Sequence, residues 1–312
     1  MRALRVGTRG SALALAQSGV VADQLADAAG GVAELIRIRT QGDVNLGPLA
    51  SIGGTGVFVI EVRSRLLAGD VDIVVHSLKD LPTAAAPGIA LGAVPVREDP
   101  ADALCARDGL TLDSLPLGAT VGTGSPRRTA QLLRFRPDLV VHPVRGNVDT
   151  RLSMVTSGAL DAVVLAAAGL SRLRRSEAIT QRLDPELMLP APAQGALAVE
   201  TCSADIDTSW YAPAMVRLDD ANTRSAVTAE RCLLATLEAG CTAPVGAYAS
   251  IRETELTLTG AVIAVDGRRE IRATRTGPVA SAAQIGIELA AQLIGDGAAE
   301  LLAGAGPGRA GS

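Results

Sequence analysis

Aromatic side chains are nearly missing from this chain, with one Trp, two Tyr and two Phe among 312 residues. With apolar content at 48%, Ala, Val and Leu must build the interior. Lysine is scarcer still. Of 29 basic residues only Lys79 is a lysine, and the other 28 are arginines. Histidine is limited to His76 and His142, and Cys105, Cys202, Cys232 and Cys241 form no CxxC pair, so a protein-built zinc site is not expected. Four scattered cysteines read as free thiols. No run of about 18 apolar residues occurs, so no transmembrane helix is expected. Ala12 to Ala16 is too short an apolar stretch for a secretory leader. A formal net charge of -4 argues against a general nucleic-acid binder. The composition reads as soluble and cytoplasmic, long enough for two or three domains.

What is present centres on His76-Ser77-Leu78-Lys79-Asp80-Leu81-Pro82. These residues follow an apolar strand, Val71 to Val75, and ligands bind beyond the carboxyl ends of such strands in open α/β sheets. Pro82 disfavours a smooth helical continuation, so Lys79 and Asp80 are expected on a rigid turn. A solvated Lys–Asp pair is the plainer alternative at this point.

The chain also repeats itself. Strand Leu4 to Val6, then Gly7-Thr8-Arg9-Gly10-Ser11, leads into a helix over Ala12 to Ala29. Val121-Gly122-Thr123-Gly124-Ser125 echoes that passage. Gly146-Asn147-Val148-Asp149 echoes Gly42-Asp43-Val44-Asn45, and Gly158 to Val164 echoes Gly69 to Val75. Two similar β-α-β domains with mainly parallel sheets are expected, facing each other across a cleft. Arg97 to Pro100 suits one crossing between them and Leu189 to Gly195 the return, after which strand Ala196 to Val199 adds back to the first domain. A helix over Asn222 to Glu238 ends with Gly240 at C′. Strands Val245–Ile251, Glu255–Val265 and Arg269–Thr274 and a helix over Ala280–Ile294 complete a third, α+β domain. The expected bounds are 1–97 with 196–217 returning, 98–195, and 218–312.

Both Gly-Thr…Ser turns offer backbone N–H groups at a helix N-terminus. Arg9, Arg127, Arg128, Arg145, Arg151 and Arg172 stand where strands end, whereas Arg134 and Arg136 flank a helix end and read as solvated. Guanidinium forks suit carboxylates or phosphates. No Walker-type loop with its lysine is present, so a polycarboxylate fits better than a phosphate. Asp80, one acid among many bases, would attract a cationic group on such a ligand. Cys241 follows a helix-terminal glycine, where a loop thiol can reach outward; a buried small hydrophobe is the plain reading for any one cysteine.

Taken together, Val6 to Ser11, His76 to Pro82, Gly122 to Arg128, Arg145 to Arg151, Ala168 to Leu173, Pro190 to Gly195 and Glu238 to Cys241 resemble the porphobilinogen deaminase (hydroxymethylbilane synthase) family in content and order. The resemblance implies an α/β fold, two periplasmic-binding-protein-like α/β domains around a cleft plus a C-terminal α+β domain. It implies a transferase of tetrapyrrole (haem) biosynthesis. Four porphobilinogen units would be joined head to tail into 1-hydroxymethylbilane with loss of ammonia. The primer would be a dipyrromethane cofactor held by a thioether to Cys241. By the same resemblance Asp80 is the catalytic carboxylate, and Lys79, Thr123, Ser125, Arg127 and Arg128 hold the cofactor. Arg9, Ser11, Ser77, Arg145, Arg151, Arg172 and Gln194 meet substrate. A cytoplasmic monomer is implied, with no metal, nucleic acid or membrane partner, passing its product to uroporphyrinogen-III synthase. Relatives often carry lysines where Thr55 and Ile60 stand, beside a Gly-rich loop of Gly53, Gly54 and Gly56. The alternative class is a non-catalytic binding protein for a small polycarboxylate, which would want a leader and no cysteine-bearing third domain.

Overall fold

The computed structural model describes residues 3–39, 56–240 and 243–304. In chain order the elements begin with β1 (Ala3–Arg9), α1 (Ala12–Ala29), β2 (Val32–Ile38), α2 (Gly56–Leu67), β3 (Ile73–Ser77) and β4 (Ile89–Ala93). Next come β5 (Asp102–Ala106), β6 (Thr120–Gly122), α3 (Pro126–Phe135), β7 (Val140–His142), α4 (Val148–Thr156), β8 (Ala162–Ala166), α5 (Ala167–Arg172) and β9 (Gln181–Leu183). β10 (Leu197–Cys202), α6 (Ala212–Leu218) and α7 (Ala221–Thr236) precede β11 (Val245–Arg252), β12 (Glu255–Ile263) and β13 (Glu270–Pro278). α8 (Ala282–Gly295) and α9 (Ala298–Gly304) close the described chain. Contacts gather these into two units, Met1–Glu98 with Ala196–Arg224, and Asp99–Gly195 with Ser225–Ser312.

In the first unit the sheet order is β2-β1-β3-β10-β4. Its central strands β1, β3 and β10 are largely buried because helices cover both faces, while the edge strands β2 and β4 stay partly open. Val21 and Leu25 of α1 pack on Leu4, Val6, Ile73 and Val75, while Val62 and Leu66 of α2 pack on Ile38, Val71 and Val74. Alternation along β3 divides its residues between the two helices. Ser11 caps α1 by accepting from the Ala14 N–H, and Gly30, left-handed at φ 65°, closes it. β3 runs two residues later than the apolar pattern suggests. Its polar end, His76 and Ser77, is recruited by ladder pairing to Ala198 and Leu197 of β10.

The second unit holds two sheets. One has the order β7-β6-β8-β5-β9, with α3 on one face and α4 and α5 on the other. The other is the antiparallel meander β11-β12-β13, covered by α7 and α8 through Leu233, Leu234, Ile285, Leu289 and Leu293.

Three details depart from expectation. Neither five-stranded sheet is mainly parallel: β1 runs parallel to β2 and β3, but β10 is antiparallel to β3 and β4. β5 is likewise antiparallel to β8 and β9. These added strands need no helical crossover, which only parallel neighbours require. α7 closes before Gly240, since Glu238 adopts φ 49° and the Ala239 N–H turns back to the Leu234 carbonyl. Arg136 is not solvated. It donates to Asp138 and to the carbonyls of Leu112 and Leu115, tying the end of α3 to the preceding loop, while Arg134 pairs with Glu270 at 2.7 Å.

Candidate functional site

In the first unit the candidate residues collect at the carboxyl ends of β1 and β3, neighbouring parallel strands. Arg9 is the last residue of β1, and Ser11 is held in place by capping α1. Beyond β3, Leu78–Asp80 form one 3-10 turn closed by the Leu81 N–H on the Leu78 carbonyl at 3.2 Å. Leu78 and Leu81 are buried and anchor this turn; Lys79 is left half-buried and Asp80 exposed. The expected rigid turn is thus a short helix pinned by two leucines. Gln17, buried on α1, bonds through its side-chain amide to the Ser77 hydroxyl at 3.0 Å. No sequence motif marks Gln17; its signal is a lone amide on the apolar face of a helix.

In the second unit the candidates gather at the ends of β6, β7 and β8, again parallel neighbours. Thr123 is buried, its N–H on the His142 carbonyl and its own carbonyl accepting from Val144, so it joins two strand ends. Ser125 accepts from the Arg128 N–H and caps α3, with Pro126 at the first helical position. Arg127 and Arg128 then fall in the first turn, 3% and 6% exposed.

Asp102 on β5 is the counter-charge, fully buried. Arg127 Nη1 donates to its Oδ2 at 2.7 Å, and Arg128 donates from Nε and Nη2 to its Oδ1 at 3.0 and 2.7 Å. Gln194 donates to the same Oδ1 and to the Pro100 carbonyl, both at 2.8 Å. Burial pushes the Asp102 carboxyl up, but the two guanidiniums outweigh it and hold it far below the usual carboxylate range. Burial lowers the pKa of Arg127, against the pull of Asp102. Asp102 was also missed from sequence, although an acid inside Ala101-Asp102-Ala103-Leu104-Cys105 is a visible break in an apolar strand.

The remaining arginines are placed differently from one another. Arg151, on α4, donates from Nε to the Gly146 carbonyl at 3.0 Å. Its pKa is lowered first by burial and then by the charge of Arg128. Arg145 is exposed after Val144. Arg172, expected on a strand-end turn, instead ends helix α5 and donates to the Gly195 carbonyl at 2.6 Å. Cys241 lies outside the described residues, as do Gly53, Gly54 and Thr55; Ile60 is exposed on α2. The three described cysteines are free, and burial raises each thiol, that of Cys105 to about 12.

Arg127, Arg128 and Arg151 bring three positive charges against the single negative of Asp102. The Arg127 Nε is buried and meets no acceptor. A donor set of this kind fits a ligand carrying several carboxylates.

Comparison with known proteins agrees in both halves of the chain. Residues 4–209 match the family model described as "Porphobilinogen deaminase, dipyromethane cofactor binding domain", and residues 225–295 match "Porphobilinogen deaminase, C-terminal domain". A protein of Nocardia farcinica named porphobilinogen deaminase is 53% identical over 308 residues, covering 96% of this chain and 88% of the relative. One of Mycobacterium bovis with the same name is 52% identical over 310 residues, covering 96% and 99%. Among solved structures the chain is similar to a periplasmic substrate-binding protein of an ABC transporter from Coxiella burnetii. That likeness covers 69% of this chain and 91% of the other, at 13% identity and a TM-score of 0.44.

Proposed function

The chain belongs to the porphobilinogen deaminase family, and from that premise we propose how its residues divide the work. The reaction condenses four porphobilinogen units head to tail into 1-hydroxymethylbilane, releasing ammonia, on a dipyrromethane cofactor. The chain is therefore a transferase of tetrapyrrole biosynthesis. We assign the thioether to Cys241, Asp80 as the catalytic carboxylate, and Lys79, Thr123, Ser125, Arg127 and Arg128 to the cofactor. Arg9, Ser11, Ser77, Arg145, Arg151, Arg172 and Gln194 are assigned to substrate carboxylates and their support.

The observation that carries this assignment is the buried guanidinium surplus around Asp102. Each pyrrole ring brings two carboxylates, so the binding surface needs fixed cations. Bound, the dipyrromethane supplies the pyrrole carbon to which the first substrate is joined. Tethering at one cysteine raises the local concentration of that reactant. Asp102 and Gln194 hold Arg128 by its Nε and Nη2 edge and the Val164 carbonyl accepts from its Nη1, which fixes the side chain before any ligand arrives. The aminomethyl group of porphobilinogen is a primary amine, with a pKa near ~10 and already protonated at neutral pH. Asp80 therefore need not supply a proton. Departure of ammonia leaves positive charge on the substrate ring, and a fixed carboxylate beside the ring N–H stabilises that charge as it develops.

The raised thiols of Cys105, Cys202 and Cys232 support Cys241 as the attachment residue, since the thiolate is the reactive form. Among the described residues no helix is long and apolar enough to cross a membrane. We take the protein to be a cytoplasmic monomer that hands its product to uroporphyrinogen-III synthase, and we propose domain bounds of 1–97 with 196–217, 98–195 and 218–312. The test is the mass of the denatured chain. A surplus of two linked pyrrole units, lost together with activity in Cys241→Ala, is expected. An unmodified and fully active chain, or an adduct mapped to another cysteine, would overturn the assignment.

A further inference from the structure

Glu200 is an acid in an otherwise apolar strand, Leu197-Ala198-Val199-Glu200, and is 4% exposed. Arg63 of α2 meets it with a fork, Nε 2.9 Å from Oε2 and Nη2 2.5 Å from Oε1. The His76 Nε2 stands 3.4 Å from the same Oε2, with its side chain 9% exposed and no acceptor in hydrogen-bond geometry. Burial pushes the Glu200 carboxyl up, but Arg63 and His76 outweigh it and hold the group at about 2. In the ladder Glu200 pairs with Val74, and Ala198 with His76, so both side chains share the sheet face that α2 covers. His76 is followed by Ser77 and then by the Leu78–Asp80 turn.

A buried ion pair is weak grounds for stability, because apolar residues of similar volume hold strands equally well. It offers direction instead. The fork accepts one orientation of the carboxylate, and that orientation sets Oε2 3.4 Å from the imidazole Nε2. We propose that Glu200 is a positioning residue for Asp80. Through Arg63 and His76 it fixes the carboxyl end of β3, and so sets where the following turn presents Lys79 and Asp80. This rests on the reading of Asp80 given above.

Glu200→Gln, Arg63→Gln and the double variant test it, each first shown by mass to carry its cofactor. Two readouts are used. The imidazole carbon-bound proton signals of His76 are followed by NMR, with His142→Gln identifying the second histidine; kcat and KM for porphobilinogen are measured beside them. Each single variant should move the His76 signals and lower kcat by about 10- to 100-fold, with KM little changed. The double variant should fall no further than the worse single one, because both changes break one contact. Unmoved His76 signals, an unchanged kcat or multiplying losses would each overturn the proposal. Should Glu200→Gln fail to fold, Arg63→Gln carries the same readouts from a side chain 16% exposed. Asp80→Asn is measured alongside. Full turnover there removes the Asp80 reading and this proposal with it. Full turnover in Glu200→Gln beside a crippled Asp80→Asn defeats this proposal alone.

Discussion

A side chain at Gly7 would meet Val74, Ile38 and Val71; one at Gly122 would meet Val163, Val144 and Leu160. The same correspondence runs through the rest of the two five-stranded sheets. Asp72 accepts from the Arg5 backbone N–H at 2.7 Å, and Asp161 from that of Thr120 at 2.7 Å, each tying the start of one strand to its neighbour. Ser11 caps the helix after β1 and Ser125 the helix after β6. Even the antiparallel strand beside the third parallel one carries a buried acid held by arginine, Glu200 in one sheet and Asp102 in the other. The depth differs. Asp102 pairs with Ala166 at the last position of β8, whereas Glu200 pairs with Val74, the second of the five residues of β3. One frame thus carries its buried cations at the end of its parallel strands, and the other keeps them deeper and presents an exposed acid, Asp80, beyond its own strand end. The repeat fixes where strand ends lie, and single substitutions on it decide which charge each end displays.

The largest expected effect is on the second sheet. Asp102→Asn would leave Arg127 and Arg128 buried without a counter-charge, at a cost of about 3–5 kcal/mol in chemical denaturation. The Asp102 carboxyl is held below its ordinary 3.8. Its contribution is therefore full above that value and fades as pH falls through the folded-state value. The gap between wild type and variant should narrow below about pH 4; a gap independent of pH would contradict the charge pairing. Arg151→Leu should cost ~1.5–3 kcal/mol in kcat/KM for porphobilinogen, with only partial recovery in Arg151→Lys because an ammonium lacks the planar fork. The exposed Arg145 should show less under the same steady-state assay. Smallest are the glycines. Gly122→Ala and Gly7→Ala should each destabilise by roughly 1–3 kcal/mol. Gly122 should lose more, since its added methyl would stand 2.6 Å from Leu160 against 2.9 Å from Val74 at Gly7. Thermal melts showing the reverse order would break the equivalence of the two frames.

Much of this was legible before any coordinates. The repeated Gly-Thr…Ser turns located both helix caps, the apolar run located α1 from Ala12 to Ala29, and Pro82 after the apolar strand located the turn holding Asp80. What stayed hidden were contacts between residues far apart in the chain. Asp102 and Arg127 are separated by 25 positions, and Arg63 and Glu200 by 137. A lone acid in an apolar strand shows that a partner exists but not which one. Antiparallel addition of β5 and β10 was hidden for a related reason, because strand direction is decided by partners that a local pattern does not contain.

Asp80 is proposed to act as a fixed negative charge on the turn that follows β3, next to Lys79. Turnover of Asp80→Asn, measured on folded protein shown by mass to carry the dipyrromethane, tests this most directly. The exposed position predicts an unchanged melting temperature, and loss of the charge predicts turnover lower by ~10²–10³. Near-normal turnover in that loaded variant would contradict it.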